Sequence, residues 1–509
     1  MLSAIILLAG PAAYAVSLLL WHILRRHLLA KNSGVLDVPL LRNSRRNDRK
    51  IAGTAVVCGG SIAGLLAARV CHDHFERVLI VEAEAWLASE EGRKMDGWNQ
   101  SNQRSRIVQY TSLHACQCFL FDGLTKLFPG LEEECRRSDI ALTLSGVRIR
   151  TPWSAFKSGL PKTMYLTRAG YEPLLRRLVL DRGTYPNIEF MTGTVTDVRA
   201  DPIDPSRLSK VLVRTESGMQ EFAAALVADC TGTARAGMKW LERNGYGYSA
   251  TYLAGQIPLD KLKISIDQKL RYTSMLFRIT PAFHDRLPFP AHLKDVKSVY
   301  TFLEDDLDKG RGFFVLTRPD GNQFMAFAGH HGGDIRPQPR TLAEMKLYAQ
   351  KLTTVEAIPG WVFGIMDMLE ELEDSATVSI LKVVNPLFGE GCTKAFRCAL
   401  VLHKVLRQAL TTSGNTLPSD FSTKFFAEQF DKTDWSWQNT RLMDYGIPTT
   451  EPAQGENLSA GAYLRWYITK LQRLAITDDD AAWVMYNLIG SLGSPIDAFY
   501  PSTYLYGWV

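Results

Sequence analysis

Paired cysteines are missing from this chain. Its eight cysteines (58, 71, 116, 118, 135, 230, 392 and 398) make no C-x-x-C and no zinc-finger spacing, only a C-x-C at Cys116 and Cys118. That pattern excludes a disulfide scaffold and a zinc ribbon, and it predicts buried free thiols in a reducing compartment and no metal site. Internal repeats and low-complexity tracts are absent as well. A basic surplus on the main body is also lacking. Of the net +5, Arg25 to Lys50 alone contributes eight Lys/Arg against two Asp, which leaves the remaining residues at about −1. Nucleic acid is therefore not an expected partner. With 509 residues, 46% hydrophobic and 22% charged, the chain has ordinary globular composition and room for two or three domains.

The first 24 residues lack charged side chains altogether. As a helix they would be roughly 36 Å long, against a bilayer core of about 30 Å. The basic flank of Arg25, Arg26, Lys31 and Arg42 to Lys50 would stay cytosolic. The sequence thus predicts a single-pass anchor over 1–24, a basic linker over 25–50 and a body facing the cytosol, with the endoplasmic reticulum as the expected membrane. The alternative, a cleaved signal peptide at Ala13 to Ala15, has no basic n-region.

Next comes a short apolar β-prone run, Thr54 to Cys58, followed by Gly59, Gly60, Ser61, Ile62, Ala63 and Gly64, then a helical run from Leu65 and a second apolar run ending at Glu82. Strand, glycine turn, helix and acidic strand end are what a dinucleotide requires. Gly59 permits the tight turn, the small Ser61 lets the backbone approach a pyrophosphate, and Gly64 lets helix and strand pack closely. The helix start offers free N–H groups to the phosphates. Glu82, 18 residues after Gly64, is placed to accept from ribose hydroxyls, and its charge opposes a 2′-phosphate. The turn alone does not separate FAD from NAD.

Three further segments, in order, bear on that choice. They are Arg104 to His114 (RSRIVQYTSLH), Leu226 to Arg235 (LVADCTGTAR) and Val384 to Thr393 (VNPLFGEGCT). With GGSIAGL at the first turn, the chain resembles FAD-dependent monooxygenases of the para-hydroxybenzoate hydroxylase-like fold, in the R-x-G-V-P-Q and N-P-x-x-G-x-G branch related to flavin halogenases. The likeness covers roughly residues 54–410. It implies an α/β fold: a Rossmann-like FAD-binding domain (51–240, with a return segment at 376–410), an inserted mixed-sheet substrate domain (241–375) and a helical C-terminal region (411–509). It further implies that Arg106 and Gln109 lie along the flavin, that Asp229 and Gly232 form the family's D-x-S/T-G turn, and that Val195 stands against the adenine. By the same likeness Asn385, Pro386, Gly389, Gly391 and Cys392 cradle the flavin.

The likeness has a gap. The family carries Gly-Asp a few residues before N-P-x-x-G-x-G, and here Ser375 to Val384 contains none. Gly333-Asp334 lies about 50 residues too early and Asp374 eleven residues before Asn385. The expectation is a segment missing around Lys382 to Val384 and, with it, weakened flavin binding.

The activity implied is hydroxylation or epoxidation of a hydrophobic small molecule of secondary metabolism, with NAD(P)H as reductant and O2 as oxidant. Tyr272 to Ile279, Gly312 to Leu316 and Gln323 to Gly329 read as strands flooring an apolar pocket, with Tyr272, Arg278 and His330 as pocket candidates. His330 and His331 read as loop residues at a strand end. A halogenase would need a W-x-W-x-I-P block, and Trp435-Ser436-Trp437 continues with Gln438, Asn439 and Thr440. A flavin-dependent reductase and a non-catalytic flavoprotein remain as alternatives. In the C-terminal region Tyr463 to Leu474 has an amphipathic pattern.

Overall fold

A computed structural model describes residues 2–46, 49–104, 106–107, 109–144, 161–247, 257–262, 264–294, 299–304, 311–333, 336–354, 357–382, 390–409 and 415–499, with side chains from Ala12 onward except those of Asp260, His292, Leu381 and Lys382. The chain opens with helix α1 (Leu2–Leu28). A βαβ unit follows: β1 (Ile51–Cys58), α2 (Ile62–His72) and β2 (Phe75–Glu82). With α3 (Arg168–Val179), β3 (Ile188–Thr192) and β4 (Leu226–Asp229) it builds a parallel sheet of order β4-β1-β2-β3.

Both faces of this sheet are covered, which is why its strands are continuously apolar. On one side Ala55, Val57, Val78 and Ile80 pack under α2. On the other, Val56, Cys58, Leu79 and Val81 meet Val198, Val211 and Val213 of a three-stranded antiparallel sheet, together with Trp240. Apolar on nearly every face, α2 is itself buried between the sheet and a later helix.

A second sheet is antiparallel. It contains β5 (Arg271–Arg278), β6 (Val299–Leu303), β7 (Gly312–Thr317) and β8 (Gln323–His330). Helices α4 (Leu342–Gln350) and α5 (Gly360–Leu369) follow, then β9 (Thr377–Lys382) and α6 (Glu390–Ala409). The strand order is β6-β7-β8-β5-β9. Alternation sorts the residues. Met275, Phe277, Phe314, Leu316, Phe324 and Ala326 pack against α4 and α5. The opposite face carries Tyr272, Phe313, Val315 and Phe327, turned toward Tyr165, Leu113 and Ala115. Expected in the return segment of the FAD domain, Thr377–Lys382 is instead an edge strand of this second sheet, paired with β5 from Leu276↔Thr377 to Arg271↔Lys382.

Among the described residues three α-helices follow: α7 (Phe421–Asp444), α8 (Ala462–Leu474) and α9 (Asp479–Ile489). Tyr467 and Leu471 of α8 pack on Ala481, Ala482 and Met485 of α9.

The N-terminal anchor expected from the sequence is overturned. Among the described residues no helix is long and apolar enough to cross a membrane. In the part of α1 with described side chains, Tyr14, Ser17, Trp21 and His22 break up the apolar run before Arg25 and Arg26. Its end is engaged by the protein's own C-terminal region. Trp21 Nε1 donates to Ile496 O at 3.4 Å, and Arg25 makes two bonds to the Asp497 carboxylate at 2.7 and 3.0 Å. The described residues form an α/β fold without the expected transmembrane element, and the membrane localisation that rested on it is not supported.

Between α1 and β1 the chain is held down by a buried relay. Arg45 Nε donates to His74 Nδ1 at 3.2 Å, His74 Nε2 pairs with His403 Nδ1 at 3.1 Å, and His403 Nε2 pairs with Leu40 O at 2.9 Å. Arginine can only donate, so one proton arrangement satisfies every link, with both imidazoles neutral. Burial lowers the pKa of His74, and His403 and Arg45 lower it further; His403 is lowered by burial too. Because the folded pKa values lie below the free value of about 6.5, the native state binds fewer protons than the unfolded chain. The stability of this relay is complete above about pH 6.5 and is lost as pH falls below it. Each histidine contributes a slope of at most about 1.4 kcal/mol per pH unit in that window. Urea midpoints measured from pH 7.5 to 5 should fall less steeply in His403→Gln, which keeps an acceptor and a donor but takes no proton. An unchanged slope would show that the pair does not titrate with folding.

Candidate functional site

At the C-terminal edge of the parallel sheet β1 turns into α2, and three glycines make the turn possible. Gly59 sits at φ +117°, and a Cβ there would lie 2.6 Å from Cys230 O, where the β4 chain crosses. A Cβ on Gly60 would meet Phe190 at 2.9 Å and Glu82 Cβ at 3.0 Å, and one on Gly64 would run into the Gly59 carbonyl. All three positions are closed to larger residues for steric reasons. Ile62 is buried and Ala63 half-buried in the first turn of α2. Glu82 ends β2 as the sequence predicts, and its carboxylate is already engaged: Gly60 N donates to Oε2 at 2.8 Å and Glu84 N to Oε1 at 3.1 Å.

Behind the turn lies a buried cluster of charges. Glu172 of α3 is fully buried. Its Oε1 accepts from Ser61 Oγ at 2.8 Å and Arg168 Nε at 2.6 Å, and its Oε2 from Arg104 Nη1 at 2.7 Å and Arg176 Nη2 at 3.4 Å. Arg104 also pairs with Glu82 at 3.5 Å and Glu84 at 3.1 Å, and Arg176 donates to Gly60 O at 3.1 Å. Burial alone would raise the Glu172 pKa, but Arg104, Arg168 and Arg176 override it and hold the group at about 2. The carboxylate is therefore ionised at every working pH and accepts only.

These partners were missed in the sequence, where the arginine assigned to the flavin was Arg106. Arg106 is exposed, and Arg104, two residues earlier, is the buried one. The available signal was the spacing Arg168-x3-Glu172-x3-Arg176, which stacks three charges on one helical face beside the buried Leu174, Leu175 and Val179. Helix α3 is fixed from the second sheet as well. Thr167, its N-cap, donates from N and Oγ1 to the Asp320 carboxylate at 2.9 and 3.0 Å, and Asp320 lies in the β7–β8 hairpin.

Other predicted residues take several places. Gln109 is half-buried and donates from Nε2 to Tyr272 Oη at 3.2 Å, joining the site to the open face of the second sheet. Thr111 and Ser379 hydroxyls meet there at 3.1 Å. Asp229 reaches the sheet edge beside Cys58, but its carboxylate serves its own loop, accepting from Thr231 N at 2.9 Å and Gly237 N at 2.8 Å. Gly232 follows at φ +66°. Val195 is half-buried against the apolar layer of Val81, Val213 and Trp240. Gly391 and Cys392 open α6. Burial pushes the Cys392 thiol up to about 11, with Arg168 pulling it down and Glu172 pushing it up, so the start of α6 stands near the same cluster. Asn385, Pro386 and Gly389 lie outside the described residues, as do Val383 and Val384 of the expected gap and Asp334 of the upstream Gly-Asp.

His330 is the last residue of β8, and His331 begins the loop that follows. Both are buried, His330 Nε2 against Gly333 O at 3.1 Å and His331 Nδ1 against Arg311 O at 3.3 Å. Among the described residues no group of three His, Cys, Asp or Glu could hold a metal. Arg278 stands at the far end of β5 from Tyr272, in a recess of about 290 Å3 shared with Trp98, Asn99, Asp139 and Asn322. None of the described cysteines is disulfide-bonded; Cys230 and Cys398 are half-buried and the rest buried.

The residues present fit a dinucleotide. The glycine turn is shaped for close approach, Ser61 makes no capping bond to α2, and Arg168 stands at that helix end. At α6, the Thr393 hydroxyl is buried without a hydrogen-bond partner among the described residues, and Gly391 faces open space.

No family model matches this chain. It is 25% identical over 435 residues to Protein Rv3254 of Mycobacterium tuberculosis, covering 78% of this chain and 82% of that protein. Among solved structures it is similar to the flavin-dependent brominase Bmp2, with 12% identity, TM-score 0.50, and 90% and 97% of the two chains covered. The similarity to PqsL, a probable FAD-dependent monooxygenase from Pseudomonas aeruginosa, also has 12% identity and TM-score 0.50, over 78% of this chain and 96% of that one. The chain has the fold of flavin-dependent monooxygenases and halogenases.

Gly64→Ala is expected to cost about 2–3 kcal/mol of stability, because the added methyl meets a backbone carbonyl that cannot move without opening the turn. Gly391→Ala, in open space, should be near neutral. Chemical denaturation of the two variants checks the contrast, and equal losses would show that the turn relaxes.

Proposed function

We propose that the protein is an FAD-dependent oxidoreductase that uses NAD(P)H and O2 to place one oxygen atom on a hydrophobic small molecule. The observation that carries the reading is one junction. Tyr165 lies on the apolar face shared with Tyr272, Phe313 and Val315, and three residues later Arg168 stands at the α2 N-terminus. A ligand with a diphosphate at one end and a flat ring at the other would meet α2, Ser61 and Arg168 with the first. The second would come against Gln109 and the open face of the second sheet.

Bound there, the flavin supplies hydride acceptance and oxygen activation, and the chain supplies placement and exclusion of water. The α2 dipole would offset diphosphate charge, and Arg168, already paired with Glu172, would add a hydrogen-bond donor beside it. The face of Tyr272, Phe313, Val315 and Phe327 offers a substrate apolar contact, with the Tyr272 hydroxyl and Ser274 as polar points on it. No general base is assigned. Adenosine binding by Val195 and the role of the Asn385 segment toward the ring belong to the same reading.

Halogenation has the fold in its favour and the sequence against it. Trp435-Ser436-Trp437 lies in the middle of α7, where Trp435 stacks over the Arg397 guanidinium at 5.6 Å and Ser436 accepts from it. Trp435 and Ser436 thus hold α7 against α6. A reductase and a non-catalytic flavoprotein are the remaining readings, the latter motivated by the missing Gly-Asp.

Purified protein should carry, or take up, FAD with the absorbance bands of an oxidised flavin. It should oxidise NADPH or NADH in the presence of a hydrophobic substrate and give a product heavier by one oxygen atom. A gain of two hydrogens would favour the reductase and a gain of halogen the halogenase. Flavin binding without nicotinamide oxidation would favour the non-catalytic reading, and no flavin binding would overturn the proposal.

A further inference from the structure

Ser61 occupies the N-cap of α2, with the extended backbone of that position at φ −94° and ψ −168°. Serine there ordinarily turns its hydroxyl onto the N–H groups of the first helical turn and closes the helix end. That closure would compete with any phosphate for the same donors. In this protein the closure does not form. The Ser61 hydroxyl donates instead to Glu172 Oε1 at 2.8 Å, and its oxygen accepts from Arg168 Nη2 at 2.7 Å.

We infer that Glu172 is a positioning residue that holds the α2 N-terminus open for the cofactor's diphosphate by drawing the Ser61 hydroxyl out of its capping position. Its geometry suits the task. Full burial and four donors fix the carboxylate, and the carboxylate fixes the serine rotamer. The same Oε1 atom orients Arg168, so the uncapped N–H groups and a guanidinium are presented together. Charge sharpens the point. Glu82, Glu84 and Glu172 balance Arg104, Arg168 and Arg176, three against three, so the cluster offers no net cation to a phosphate. Attraction then falls to the open helix end, and a self-capped α2 would lose it.

This inference rests on the reading that α2 receives a diphosphate, and the experiment separates the two. Flavin-free protein is titrated with FAD, followed by flavin fluorescence, and with inorganic pyrophosphate, followed by calorimetry. The proteins are wild type, Ser61→Gly, Ser61→Ala, Glu172→Gln and the Ser61→Gly/Glu172→Gln double variant. Ser61→Gly and Ser61→Ala, which have no hydroxyl to cap with, are expected to bind both ligands at least as tightly as wild type. Glu172→Gln weakens the hold on Ser61 but leaves the arginines one charge in excess, which acts the other way, so both ligands are expected to bind only about twofold to fivefold more weakly. In the Ser61→Gly background the same change should weaken binding several-fold less.

Additive effects would overturn the inference, since Glu172 would then act without Ser61. Tenfold weaker binding by Ser61→Gly or Ser61→Ala would overturn it too, by making the hydroxyl a ligand. If Glu172→Gln fails to fold, the two Ser61 variants decide alone. Pyrophosphate binding that shows the coupling, with no FAD uptake, would overturn the flavin reading and leave this one standing. Wild type that binds neither would overturn both.

Discussion

One carboxylate organises this protein's site. Glu172 is fully buried, and an unpaired charge in that position would cost several kcal/mol. It is tolerated because Arg104, Arg168 and Arg176 surround it, and these arginines are held in turn by Glu82, Glu84 and the carbonyls of Gly60 and Gly92. A cluster of this kind adds little net stability, since desolvation cancels most of the attraction. What it provides is geometry. It ties the glycine turn, the end of β2, the segment after Glu84 and the start of α3 into one frame, from which Gly60, Ser61, Glu82 and Arg168 are held.

The frame extends into the second sheet through α3. Thr167 caps that helix from within, and Asp320 of the β7–β8 hairpin takes both the Thr167 N–H and its hydroxyl. A Cβ on Gly170 would collide with the Asp320 carboxylate, so the contact is close by construction. The strand that leads into Thr167 carries Tyr165 onto the aromatic face of Tyr272 and Phe313. A displacement of the substrate-side sheet would therefore reach Arg168 through two hydrogen bonds and one strand. The proposed division of labour, with phosphates at α2 and a ring near Gln109, has a mechanical connection and not merely proximity.

Much of this architecture was legible in the chain. Thr54 to Glu82 reads as strand, turn, helix and strand because each segment has the period and punctuation of its element, and the steric tests at Gly59, Gly60 and Gly64 give the reason for each glycine. The antiparallel sheet followed from aromatic and β-branched runs at 272–279, 312–316 and 323–329. Two readings went otherwise. The uncharged first 24 residues suggested a membrane span, yet no described helix is long and apolar enough for one, and Arg25 is spent on Asp497. Thr377–Lys382 was assigned by its nearness to the Asn385 motif, but hydrogen bonding to β5 places it in the other sheet.

Local sequence by itself determined the dinucleotide turn, since backbone sterics and strand-helix periodicity act over a few residues. Only the tertiary structure decided that the serine in the turn leaves its own helix uncapped. Glu172, 111 residues away, reaches Ser61 once the fold brings α3 beside α2, and no pattern within either segment encodes that meeting. The same holds for Asp320 on Thr167 and for His403 on His74, which lie 153 and 329 residues apart. Periodicity reports which face of an element is buried, and only the assembled chain reports which buried charge or ring it is buried against.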